Sequence, residues 1–175
     1  MELKNAVVIV SGSSSGVGAA CAILLAKKGS RVVINYSSSK ADAESVAQQV
    51  TALGGDAIVV QGNVALDADC RRMAQAALDK WGRIDGLINN AGKTKFVDHH
   101  KLEELDAQDF IDIYSVNVIG AFQMVRACAE AMRKQGRGAV VNMSSIAGLM
   151  GNGSSVAYSA SKGALNTMTK SLARA

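Results

Sequence analysis

Proline is absent from all 175 residues. At an ordinary usage of about 5% several would be expected. Cysteine is scarce and odd in number. Cys21, Cys70 and Cys128 lie far apart in helical patterns, which excludes a disulfide framework and reads as buried, reduced thiols of a cytoplasmic protein with no metal or redox role. His99-His100 has no third ligand nearby in sequence and reads as a solvated loop, so no metal site is expected. Aromatic residues make up 4%, and the excess of Lys and Arg over Asp and Glu is 19 − 15 = +4. The basic residues are scattered, as on a solvated surface, so a nucleic-acid partner is excluded. No apolar run approaches membrane-spanning length, so no membrane partner is expected. Met1-Glu2-Leu3-Lys4 leads directly into a strand-like run, and no signal peptide is expected.

What is present is an ordinary globular composition, 49% apolar and 19% charged, long enough for one domain with a sizeable core. Ala6 to Val10 is a continuous β-branched run, as in a strand buried on both faces of a parallel sheet. Val17, Ala20, Cys21, Leu24 and Leu25 then recur at helical spacing up to Gly29. Arg31 to Asn35, Ala57 to Val60, Leu87 to Asn89 and Gly138 to Met143 read as four more strands. Helices are predicted from Ala41 to Leu53, from Asp67 to Trp81, and over a long, bent stretch from Asp106 to Gln135. A last helix, capped by Ser154 or Ser155, carries Tyr158 and runs to the final residue. Alternating strands and helices predict an α/β domain, a doubly wound parallel sheet with helices on both faces.

Three stretches carry chemistry. Gly12, Gly16 and Gly18 lie between the first strand and the first helix, with Ser13, Ser14 and Ser15 among them. Such a turn lets backbone approach a phosphate at a helix N-terminus. Asn89-Asn90-Ala91-Gly92 closes the fourth strand, at the sheet end where parallel sheets place ligands. Tyr158 and Lys162 are four residues apart and share a helix face. A free tyrosine, with a pKa of about 10, is a poor acid or base at neutral pH, and an adjacent ammonium favours its phenolate. Ser145 precedes the same loop and could hydrogen-bond a substrate oxygen. Asn117 falls within the apolar run Val116, Val118, Ile119. It is either a core asparagine satisfied by backbone or a kink aiming a side chain at the site.

Taken in order, Ser11-Gly-x-x-x-Gly-Val-Gly18, Asn89-Asn-Ala-Gly92, Asn117, Ser145 and Tyr158-x-x-x-Lys162 resemble the short-chain dehydrogenase/reductase family across the whole chain. Gly148-Leu-Met-Gly-Asn-Gly153 further resembles its 3-oxoacyl-[acyl-carrier-protein] reductase branch. The resemblance implies a three-layer Rossmann domain and a catalytic tetrad. Tyr158 would transfer the proton, and Ser145, the residue just before the Ile-Ala-Gly turn, would hold the carbonyl oxygen. Lys162 would assist the tyrosine and bind the nicotinamide ribose, and Asn117 would hold a relay water. It implies cofactor contacts from Gly12, Ser14, Ser15, Gly16, Val17, Gly18, Tyr36, Ser37, Ser38, Asn63, Val64, Asn90, Ala91 and Gly92, with Tyr158 and Lys162. It also implies a small-molecule or acyl-carrier-linked carbonyl substrate and a homo-oligomer, commonly a tetramer.

Two departures bear on the cofactor. Asn63 stands where the family often has Asp, and Tyr36, followed by Ser37, Ser38 and Ser39, stands where NAD users carry an acid for the ribose 2′-hydroxyl. NADP(H) is therefore favoured, with NAD(H) as the alternative, although Ser15 occupies a position often held by Arg in NADP users. Alternative readings are a short-chain dehydrogenase for a sugar, steroid or small alcohol, or an inactive nucleotide-binding fragment. A sugar-nucleotide epimerase or dehydratase would carry G-x-x-G-x-x-G in the first turn instead. Relatives by resemblance run to about 250 residues, and this chain stops as the family's sixth helix begins. Residues 1–175 would then form a single nucleotide-binding domain lacking the last strands, the substrate lid and a Pro-Gly turn, which partly accounts for the missing proline. That reading expects Val140 and Val141 at a sheet edge and Leu165, Met168 and Leu172 exposed. It also expects a chain that is inactive alone and that aggregates or relies on oligomerisation.

Overall fold

The computed structural model describes residues 2–174. Five parallel strands, β1 (Val7–Val10), β2 (Arg31–Tyr36), β3 (Asp56–Gln61), β4 (Gly86–Asn89) and β5 (Ala139–Asn142), form one sheet in the order β3-β2-β1-β4-β5. Side chains alternate along each strand, and the sheet buries both faces. Val7, Ile9, Val33 and Leu87 meet helices α3 (Asp67–Trp81) and α5 (Ala121–Lys134) through Cys70, Met73, Met124 and Cys128. Val8, Val10, Val32 and Ile34 meet α1 (Gly16–Lys27) and α2 (Lys40–Ala52) through Ala22, Ala26, Val46 and Val50. The result is the expected doubly wound, three-layer Rossmann architecture. Order reverses between β1 and β4, and such a switch point opens a crevice beyond the strands' carboxyl ends. The glycine turn after β1 and Asn90 to Gly92 after β4 therefore flank one another.

The predicted face of α1 is corrected. Val17 and Leu24 are exposed, and Gly18, Ala22 and Ala26 face the sheet. The helix is apolar almost all round, so period alone selects no face. Residue size decides, because small side chains at i, i+4 and i+8 let the helix lie close to the strands.

The long helix after β4 is present in three parts: α4 (Ala107–Tyr114), a π-helical turn (Ser115–Gly120), and α5. Asp106 caps α4 in a reciprocal capping box with Asp109. Two short elements escape a reading by period, a 3-10 turn at Leu102–Glu104 and helix α6 (Ala147–Met150). Helix α7 (Val156–Leu172) begins at Ser155, whose hydroxyl accepts from the Tyr158 amide, and it ends before the final residue, which lies outside the described residues. The two cysteines of the α3–α5 face are buried, and Cys21 is half-buried. Burial pushes the Cys70 thiol up to about 11 and Cys128 up to about 12, so neither is a nucleophile at neutral pH.

The start of the sheet is locked by Asp85. Its carboxylate accepts from the Val7 amide at 2.9 Å and from Nε of Arg83 at 2.8 Å, and it is 2% exposed. Burial pushes this carboxyl up, but the Arg83 bonds and the Val7 amide outweigh it and hold it below the ordinary carboxylate range. β5 forms one edge of the sheet, opposite β3, and Val140 and Val141 are exposed there, as expected. Leu165 is not exposed. It is 2% accessible because α7 is covered by α4 and α6, and Met168 and Leu172 are half-buried. Among the described residues, no helix is long and apolar enough to cross a membrane.

Candidate active site

The crevice holds a cavity of about 770 Å³. At one end lie Gly12, Ser14, Ser15 and Val17 of the first turn, with Asn35, Ser37, Gly62, Asn63 and Val64 from the ends of β2 and β3. At the other lie Met143, Ser144, Tyr158 and Lys162, with Asn90 to Thr94 between the ends.

The first turn is held from beneath. Ser11 Oγ accepts from the amides of Asn90 and Ala91 at 3.0 and 3.1 Å, and Asn90 Nδ2 donates to the carbonyls of Ser11 and Gly12 at 3.0 and 2.8 Å. The Asn-Asn-Ala-Gly stretch is thus a clamp on the glycine turn as well as a cavity wall. Gly12 has φ +61° and presses on Ala91, where a Cβ would sit 2.8 Å from its Cα. At Gly18 a Cβ would lie 2.4 Å from the Gly12 carbonyl oxygen and 2.5 Å from Asn90 Nδ2. Gly18 therefore lies under the turn and does not line the cavity. The first amides of α1 have no partner within the helix, and they lie where an anion would be held.

At the far end, Lys162 is 4% exposed, and its Nζ donates to the Met143 carbonyl at 2.7 Å and lies 5.7 Å from the centre of the Tyr158 ring. Burial pushes the Lys162 ammonium below the ordinary lysine range. Ser144 lines the cavity itself. Ser145 sits beside it, bordering an adjoining cavity of about 450 Å³ with Ile146 and Leu149. Ser145 Oγ accepts from the Ala147 amide at 3.1 Å, which leaves its own proton available to donate.

Asn117 lies in the π turn and is 1% exposed. Its Oδ1 accepts from the Lys93 amide at 2.7 Å, and its Nδ2 donates to the Lys93 carbonyl and to Ser161 Oγ, each at 2.9 Å. Both readings left open by the sequence hold in part: the amide is satisfied, by the Lys93 main chain and Ser161, and it sits in an irregular turn of the long helix. With its side chain committed to Lys93 and Ser161, it is a brace tying the loop after β4 to α7. A π turn of this kind often marks a functional site.

Tyr36 is corrected. Its ring is 7% exposed within the α1–α2 core, and its carbonyl accepts from the Gly62 amide, so Ser37 and not the Tyr36 side chain faces the cavity. Gly16 and Ser38 do not line it either. Asn63 does, with its Oδ1 accepting from the Ala65 amide at 3.0 Å. Sequence reasoning passed over Asn35, Lys93, Thr94 and Met143, and it preferred Ser145 to Ser144. Asn35 had a signal, as the one amide in an otherwise apolar buried strand, whereas the others come together only through folding.

A glycine turn and a Tyr/Lys pair thus open onto one cavity at the switch point of a parallel sheet. The chain matches the family described as short chain dehydrogenase over residues 6–175. The chain belongs to that family. It is 39% identical over 172 residues to a 3-oxoacyl-[acyl-carrier-protein] reductase of Synechocystis sp., covering 98% of this chain and 68% of the relative. The reductase of the same name from Staphylococcus epidermidis is 34% identical over 170 residues, covering 97% of this chain and 68% of that relative. A crystal structure of a short chain dehydrogenase/reductase from Burkholderia phymatum in complex with NAD superposes with a TM-score of 0.91 at 32% identity. That match covers 98% of this chain and 60% of the other. The chain thus spans about two thirds of the length of the curated relatives it matches. As a member of this family of oxidoreductases, it has a scaffold for NAD(H) or NADP(H).

Proposed function

We propose that the protein interconverts a carbonyl and an alcohol with a nicotinamide dinucleotide, and that its substrate is a 3-oxoacyl thioester. The observation that carries the nicotinamide chemistry is the single cavity, with anion-binding backbone at one end and Tyr158 and Lys162 at the other, and the thioester is argued from the likeness to two 3-oxoacyl-[acyl-carrier-protein] reductases. The residues fit a dinucleotide. Gly12, Ser14, Ser15 and Val17 would hold the pyrophosphate, Asn63 and Val64 the adenine, and Asn90 to Gly92 with Lys162 the nicotinamide ribose. When bound, the nicotinamide supplies or accepts the hydride.

The chain's own residues handle the proton. In reduction, the Tyr158 hydroxyl gives its proton to the carbonyl oxygen as negative charge develops there, and the reverse direction returns it. The Lys162 ammonium, held by the Met143 carbonyl, stabilises the phenolate left behind. Ser144, which lines the Tyr158 cavity, and Ser145 beside it are the hydroxyls available to the same substrate oxygen. Asn117 holds the Lys93 loop in place through its side chain.

NADP(H) is the proposed cofactor because Ser37 presents a neutral hydroxyl where an acid would repel a 2′-phosphate. The cations lining the cavity, Lys93 between the ends and Lys162 at the Tyr158 end, stand away from Ser37, so the preference rests on lack of repulsion. A homo-oligomeric assembly is proposed, with α4, the π turn and α5 presenting exposed Ile111, Ile119 and Phe122. The test is turnover of NADPH and NADH with acetoacetyl-coenzyme A, against a sugar and a secondary alcohol in the reverse direction. Turnover of the sugar or the alcohol but not of the thioester would overturn the substrate assignment.

A further inference from the structure

Asn35, the residue before the last of β2, carries a carboxamide that is 1% exposed and yet reaches the cavity wall. Its Oδ1 accepts from the Gly12 amide at 2.8 Å. Its Nδ2 donates to the Gly62 carbonyl at 3.0 Å, and the carbonyls of Tyr36 and Val60 lie at 3.3 Å. One side chain therefore bridges three strand ends: the glycine turn after β1, its own β2, and the β3 end that leads into Asn63 and Val64. Its main chain adds two bonds to Ser13, donating to Ser13 Oγ and accepting from the Ser13 amide, each at 2.9 Å.

We propose that Asn35 is a positioning residue that sets the affinity for the adenosine half of the dinucleotide, an inference that rests on the cofactor reading above. The Gly12 N–H is spent inward on Asn35, which turns the following residues Ser14 and Ser15 toward the cavity. The same amide fixes Gly62, and so the distance between the pyrophosphate turn and the adenine wall. Tyr158 and Lys162 stand at the opposite end and are held by other bonds, through Ser155, Ser161 and Met143. The effect of Asn35 is therefore confined to one end of the ligand. Removing its carboxamide leaves the Gly12 amide and the Gly62 carbonyl unpaired at the cavity floor, while both main-chain bonds to Ser13 persist.

The experiment uses Asn35→Ala and Asn35→Ser in the 175-residue chain. Thermal unfolding is followed by circular dichroism, ADP-ribose binding by calorimetry, and nicotinamide mononucleotide binding by NMR titration. Both variants should unfold cooperatively and bind ADP-ribose roughly tenfold more weakly, the scale of leaving a buried hydrogen-bonding group unpaired. Binding of nicotinamide mononucleotide should weaken by no more than about threefold, because that ligand shares only one phosphate with the turn and otherwise occupies the other end. Unchanged ADP-ribose binding would overturn the role while leaving the cofactor reading intact. Equal weakening of both ligands, or loss of cooperative folding in both variants, would make Asn35 a general structural residue and also overturn it. If the unsubstituted chain binds neither NADPH nor ADP-ribose, the cofactor reading itself falls.

Discussion

Gly18→Ala adds a single methyl group where the structure has no room for one. The new Cβ would lie 2.4 Å from the Gly12 carbonyl oxygen, 2.5 Å from Asn90 Nδ2 and 2.9 Å from Ser13 Cα. Two of these neighbours are backbone, so only the asparagine could rotate away. Doing so would break its bonds to the Ser11 and Gly12 carbonyls and release the clamp between the first and fourth strands. Overpacking of a tight site costs about 1–3 kcal/mol, and each buried group left unpaired adds about 1–3 kcal/mol. A total of about 3 kcal/mol is expected, and for a chain of this size each kcal/mol lowers the melting temperature by about 2–4 °C. The predicted drop is roughly 6–12 °C, accompanied by loss of dinucleotide binding. The control is Gly16→Ala, where no atom lies within 4 Å of the added Cβ and only a φ of +55° opposes it. That variant should lose about 1 kcal/mol. Calorimetric melting of both variants, with NADPH titration, checks the argument. Equal melting temperatures for the two would refute it, because the difference rests entirely on steric contact.

In a full-length version of the protein, Tyr158→Phe should abolish turnover while leaving NADPH affinity within about threefold, since the ring stays and the proton donor goes; retention of more than a few per cent of activity in a steady-state assay would remove Tyr158 from proton transfer. Ser37→Asp should weaken NADPH binding more than NADH binding, by charge repulsion at the cavity wall, and equal losses in parallel titrations would place the 2′-position elsewhere. Asp85 titrates below its ordinary value in the folded protein, so its contribution is full above the unfolded pKa of about 3.9 and is lost as pH falls through the folded value. Asp85→Asn should accordingly flatten the acid side of a urea-denaturation stability profile below about pH 4; an unchanged profile would show that the Arg83 pair does not drive that loss.

The sequence by itself determined the class of fold, the order of the main elements and the family. Buried strands of a parallel sheet must be apolar runs, helices that cover them must show an apolar face, and a proton-transfer site needs specific side chains. Those demands act locally, so β1, α3 and the Tyr158/Lys162 pair were legible in one dimension. Only the tertiary structure decided which face α1 buries, because an almost wholly apolar helix is oriented by the size of Gly18, Ala22 and Ala26. It alone showed that the Tyr36 ring belongs to the core and that Ser37 faces the cavity. It resolved Asn117 as a brace on Lys93, and it revealed Asn35, whose partners Gly12 and Gly62 lie 23 and 27 residues away along the chain. A hydrogen bond leaves no periodicity in the chain that makes it. Where the role of a residue is set by partners on other strands, only the packing of those strands reveals it.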